Sequence, residues 1–105
     1  MAEDFKIDGE NYDFKIEDEI LYYCPKQPCL AKNHLKKFNP NQHKKLKPET
    51  HASSLGSLYC RQVLKGASTL GVNRSNDGRA FCVLSDMSFI EINSLTRQLN
   101  STGDL

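Results

Sequence analysis

Four cysteines, at positions 24, 29, 60 and 82, constrain this chain more than any other feature. A chain of 105 residues has room for one domain with a modest core, so staples contribute much of its stability. An even cysteine count in so short a chain reads as a disulfide framework. The simplest pairing is Cys24–Cys29 with Cys60–Cys82, but four cysteines allow three pairings and sequence does not choose among them. Cys60 falls on the inner stripe of the best predicted helix, and Cys82 lies in a strand expected to cover it. A bond there would stabilise by roughly 3 kcal/mol on the chain-entropy description. Cys24–Cys29 would close a small prolyl loop and fix local shape.

Two alternatives use the same residues. Cys24, Cys29 and His34, with His43 or His51, are zinc donors in kind, although C-x4-C-x4-H is looser than the C-x2-C knuckles of structural zinc sites. Cys60 and Cys82 also suit two free buried thiols of a cytoplasmic core. A thioredoxin-type C-x-x-C at a helix start is absent, so the cysteines do not point to redox catalysis. Neither a metal nor another cofactor is expected.

Apolar periodicity supplies the elements around these staples. Tyr12, Phe14 and Ile16 alternate with Asp13, Lys15 and Glu17, the period of a half-buried strand. Glu17-Asp18-Glu19 reads as a turn into a second strand, Ile20 to Tyr23, which Pro25 and Pro28 terminate. Leu30, His34, Leu35 and Phe38 share one face of a short helix over 29–38. The clearest helix spans 51–65, with Thr50 as N-cap and Gly66 as its stop. Its buried stripe runs through Ala52, Leu55, Leu58, Tyr59, Cys60, Val63 and Leu64. Gly56 inside it points to a close backbone approach.

Strands follow over 68–72, 81–84 and 89–92. The first two are joined by Ser75-Asn76-Asp77-Gly78 and the last two by a turn at Asp86-Met87-Ser88. Asn93 or Ser94 can cap a last short helix carrying Leu95 and Leu99. Phe14, Tyr22, Tyr23, Tyr59, Phe81 and Phe89 are the expected large core residues. The predicted fold class is α+β: a small antiparallel sheet with one main helix, about 51–65, packed on it and stapled by cysteines. Residues 1–105 form a single domain in this reading, with 1–10 and 100–105 flexible.

The charges are sorted along the chain although they nearly cancel, at a net +1. Residues 1–20 hold eight acids and two lysines, residues 21–50 seven lysines and one acid. Either the acidic arm lies against the basic segment, or Lys26, Lys32, Lys36, Lys37, Lys44, Lys45 and Lys47 form an exposed face for an anionic surface, polymer or protein. Nucleic-acid binding usually adds arginines and stacking aromatics, and only Phe38 stands inside this segment. A solvated lysine face is the plain alternative.

No catalytic signature is present: H-E-x-x-H, P-loop, G-x-S-x-G and dinucleotide fingerprints are all missing. His51 and Cys60 are too far apart on one helix to form a nucleophile and base. An enzyme is therefore not expected, nor a small-molecule substrate. No apolar run reaches the roughly 18 residues of a membrane helix. Met1-Ala2-Glu3-Asp4 lacks the basic and apolar regions of a signal peptide, which leaves a cytoplasmic protein or a mature secreted chain.

Ser57-Leu58-Tyr59-Cys60, Gly66-Ala67, Asp77-Gly78, Cys82-Val83-Leu84 and Asp86-Met87-Ser88 together are similar to a small bacterial extracytoplasmic domain family that carries a hemolysin label and has no assigned function. The resemblance covers residues 53–95. Met87 stands where that family has a turn glycine, and its Asn-Pro before the helix is missing. The resemblance implies a secreted or periplasmic domain with Cys60 and Cys82 oxidised. The leading functional expectation is thus a small extracytoplasmic, non-catalytic binding module. The runner-up is a cytoplasmic nucleic-acid- or protein-binding regulator, with or without a zinc site.

Overall fold

Residues two apart on a strand face the same way, and five strands of this chain place bulky apolar side chains at that spacing. The computed structural model describes residues 2–38, 46–47 and 54–100. Its strands are β1 (Ala2–Ile7), β2 (Glu10–Glu17), β3 (Ile20–Tyr23), β4 (Ala67–Val72), β5 (Gly78–Val83) and β6 (Phe89–Glu91). Its helices are α1 (Leu30–Lys37), α2 (Leu55–Gln62) and α3 (Ile92–Asn100). The strands close into a barrel in the order β1-β2-β3-β6-β5-β4. Two antiparallel meanders, β1–β3 and β4–β6, are joined through β3 against β6 and through a single pair, Lys6 with Val72, between β1 and β4.

This corrects the expected architecture. The sheet is not a small one under a main helix over 51–65; among the described residues it is a closed six-stranded barrel carrying three short helices. The segment 1–10, expected as a lead-in, carries β1. Phe5 and Ile7 from it are buried with Phe14, Leu21, Phe81 and Phe89, and Tyr12, Tyr23 and Val83 pack against them. The Phe5 ring lies 5.5 Å from Phe14 and 5.0 Å from Phe81, edge-on in both cases. Such pairs are favoured by about 1 kcal/mol beyond their burial. This aromatic cluster fills the barrel.

The alternate residues point outward, and on β3, β5 and β6 the helices cover them. Ile20, Tyr22, Cys82 and Ile90 are buried with Tyr59, Cys60 and Leu64 beyond the barrel wall and with Ile92, Leu95 and Leu99 of α3. Both disulfides belong to this outer layer. Cys60 of α2 is bonded to Cys82 on the outer face of β5, and Cys24 to Cys29 just before α1; no free cysteine remains.

Local chemistry explains the helix bounds. Ser54, not Thr50, caps α2: its hydroxyl accepts from Ser57 N–H at 3.2 Å, while Thr50 lies outside the described residues. The helix ends early because Lys65 adopts a left-handed φ of 58°, and Gly66 N–H returns to Cys60 O at 2.9 Å. Gly66 is needed for space, since a Cβ there would lie 2.5 Å from Cys82 Sγ. Gly56 is the expected close approach: a Cβ would strike Ile92 O of α3, and its N–H donates to Thr96 Oγ1 at 2.9 Å. In α3 neither Asn93 nor Ser94 is a cap, because the helix begins at Ile92 directly after β6. In the β4–β5 connection the left-handed residue is Asn76, with φ 67°, rather than Gly78.

Candidate functional site

The lysine-rich segment is positioned by α1 and the prolyl loop before it. Ala31 is fully buried on the inner side of α1, with Leu35 partly buried beside it, while Lys36 and Lys37 point to solvent. These two stand in the last turn, where positive charge offsets the partial negative charge of a helix C-terminus. Lys26 is exposed in the loop closed by Cys24–Cys29. Lys47 is also exposed, and its backbone is clamped twice by the Gln62 side chain of α2, at 2.9 and 2.6 Å. Lys44 and Lys45 lie outside the described residues.

The acidic arm touches this segment at one described point, where Glu17 Oε2 sits 3.7 Å from Lys32 Nζ. Its other described contacts go elsewhere. Glu3 accepts from Asn73 Nδ2 at 2.9 Å, and Asp4 pairs with Arg74 at 3.2 Å. Lys26, Lys36, Lys37 and Lys47 have no ion pair among the described residues.

What holds α1 in place was not visible in the sequence. Its N-cap residue, Cys29, makes no side-chain cap, and the β5–β6 turn supplies one in its place. Asp86 Oδ2 accepts from Leu30 N–H at 2.8 Å, and the Ser88 hydroxyl accepts from Ala31 N–H at 3.1 Å. Asp86 Oδ1 in turn accepts from the Ser88 hydroxyl at 2.6 Å and from Ser88 N–H at 3.0 Å. Burial acts to raise the Asp86 carboxyl. The bonds from Leu30 and Ser88 outweigh it and hold the group below the usual carboxylate range. His34 is pushed below its ordinary value by burial and by Lys37, against a smaller opposing pull from Asp86.

A second polar network links β5, β6, α3 and β3. Glu91 is 1 % exposed, facing inward from β6 like Phe89. Its Oε2 accepts from Arg79 Nη1 at 2.9 Å and its Oε1 from the Ser94 hydroxyl. Ser94 also accepts from Leu21 N–H at 3.3 Å, tying α3 to β3. Every oxygen of this carboxylate therefore has a partner, and the arrangement is that of a structural clamp.

The surface between β1 and the residues after β4 forms a shallow polar depression of about 350 Å³, lined by Glu3, Asp4, Asn73, Arg74 and Ser75. Asn73 is committed within it, since its Oδ1 accepts from Ser75 and Asp77 N–H while its amide donates to Glu3. Among the described residues no group of three acidic, histidine or cysteine side chains is placed to hold a metal ion. Cys24 and Cys29, the donors a zinc site would need, are joined to each other. Among those residues no helix is long and apolar enough to cross a membrane. No family model, curated protein or solved structure matches this chain.

Proposed function

We propose that this chain is a small extracytoplasmic binding module without catalytic activity, which meets an anionic surface or polymer through its lysine-rich segment. The observation that carries the reading is the set of exposed lysines, Lys26, Lys36, Lys37 and Lys47, which have no ion pair among the described residues, while Glu3 and Asp4 of the acidic arm turn to Asn73 and Arg74. The cysteines support the proposed compartment. Two disulfides in a chain of this size fit an oxidising environment, since reducing cytosol rarely preserves them. The resemblance of residues 53–95 to the extracytoplasmic family points the same way. Binding of this kind is steered by charge, shared among several lysines and weakened by salt.

The test is retention on immobilised heparin, followed from about 50 to about 300 mM salt. Charge reversal at Lys36, Lys37, Lys44 and Lys45 should abolish retention while both disulfides and the far-ultraviolet spectrum are kept. Equal retention of the variant overturns the reading.

A further inference from the structure

β4 is paired along its whole length with β5, Ala67 with Val83 through Val72 with Gly78. On its other edge only Val72 is paired, with Lys6, because β1 ends at Ile7 and the chain turns away at Asp8 and Gly9. Residues 67–70 therefore have no strand beside them, and among the described residues that edge is an open row of backbone donors and acceptors. Natural edges are usually guarded by a charge, a proline or a bulge. Ala67-Ser68-Thr69-Leu70-Gly71-Val72 has no charge and no proline. Leu70 is 76 % exposed on it.

The surface beside this edge is basic. An open depression of about 570 Å³ runs from the end of α2 onto the start of β4, lined by Arg61, Lys65, Gly66, Ala67 and Ser68. Lys65 is exposed and makes no ion pair among the described residues.

We infer that the 67–70 edge of β4 receives an extended acidic peptide as an added strand, its backbone pairing with β4, a carboxylate facing Lys65, and an apolar side chain resting on Leu70. Strand addition of this type takes affinity from main-chain bonds and selectivity from the flanking side chains. Charge decides the occupant. A second copy pairing β4 with β4 would bring the two Lys65 side chains toward one another, and like charges across a contact are unfavourable. The surface uses none of the residues of the lysine face on α1, so the two proposals stand separately.

The probe is a fluorescein-labelled peptide of about eight residues alternating valine with glutamate, titrated by anisotropy against the full oxidised chain. Wild type should bind it, and Lys65→Glu with Leu70→Glu should weaken binding at least tenfold. Lys36→Glu with Lys37→Glu should leave it within twofold. The same peptide with alternate amides N-methylated should also lose at least tenfold against unaltered protein, a result independent of any variant's folding. Equal binding of the methylated peptide, no binding by wild type, or an unchanged affinity in the Lys65 and Leu70 variant overturns the inference. So does a dimer in light scattering that Leu70→Glu dissolves, which would make a second copy the occupant.

Discussion

Replacing Asp86 by alanine should loosen α1 without touching any residue of that helix. The substitution leaves Leu30 N–H without the acceptor it has at 2.8 Å and strips two bonds, at 2.6 and 3.0 Å, from Ser88. Loss of a helix cap costs about 1 kcal/mol, and loss of the bonds that shape a partly buried turn adds about 1 more. The expected destabilisation is about 2 kcal/mol, a fall of roughly 10 °C in Tm for a domain of this size. Asp86→Asn keeps one accepting oxygen, so it satisfies Leu30 or Ser88 but not both, and should lose about half as much. Ser88→Ala leaves the buried Ala31 N–H unpaired and should cost about 1 to 2 kcal/mol. Because Ser88 bonds both to Asp86 and to Ala31, the double variant should lose less than the sum of the single ones. The assay is urea unfolding by far-ultraviolet circular dichroism with disulfides intact, paired with amide exchange at Leu30 and Ala31. An Asp86→Ala protein within about 0.5 kcal/mol of wild type, or with unchanged protection at those two amides, would refute the argument.

Two further outcomes follow from the same structure. Arg79→Met should destabilise by about 3 kcal/mol in urea unfolding, because Glu91 is left as a buried carboxylate without its cation; adding Glu91→Gln should recover part of the loss, and no recovery would count against the pairing. Stability should also fall with acid in two stages. The folded His34 resists protonation, so the unfolded chain gains an advantage once pH drops below the ordinary histidine value of 6.5. The depressed Asp86 stabilises the fold above the ordinary value of 3.8, and its contribution is lost as pH falls through and below that value. A urea midpoint that rises between pH 7 and 5 would contradict the first stage.

Most individual strands were legible because their apolar residues recur at period two, as in Tyr12-Phe14 and Phe81-Val83. Barrel closure was not. It depends on β1, where Glu3, Asp4 and Lys6 surround Phe5 and Ile7 and give the segment the composition of a solvated arm. It also depends on one pair, Lys6 with Val72, that no local pattern announces. The helix over 51–65 was overextended because apolar spacing continues through Val63 and Leu64, while Lys65 turns left-handed and ends it. For the candidate site, the lysines were visible as charge alone. Their freedom from the acidic arm was not, nor was the cap on α1, whose donors and acceptors lie 56 and 57 positions apart. Glu91 carried a usable signal: it shares the parity of Phe89 and stands opposite Phe81, which places it inside rather than in solvent.

The single-pair seam also orders events while the chain is being made. Synthesis is vectorial, and β1 emerges before the other five strands. Lys6 then has no partner on that side until Val72 exists, so the outer border of the first meander is open to other nascent chains throughout the interval. Glu3, Asp4 and Lys6 punctuate that border with charge, the usual guard against wrong pairing. β4 arrives after β1 is already formed, and Val72 meets it at once. The charged run on β1 thus protects an early strand while it waits, whereas on β4 only Val72 closes the ring and residues 67–70 stay open in the finished barrel.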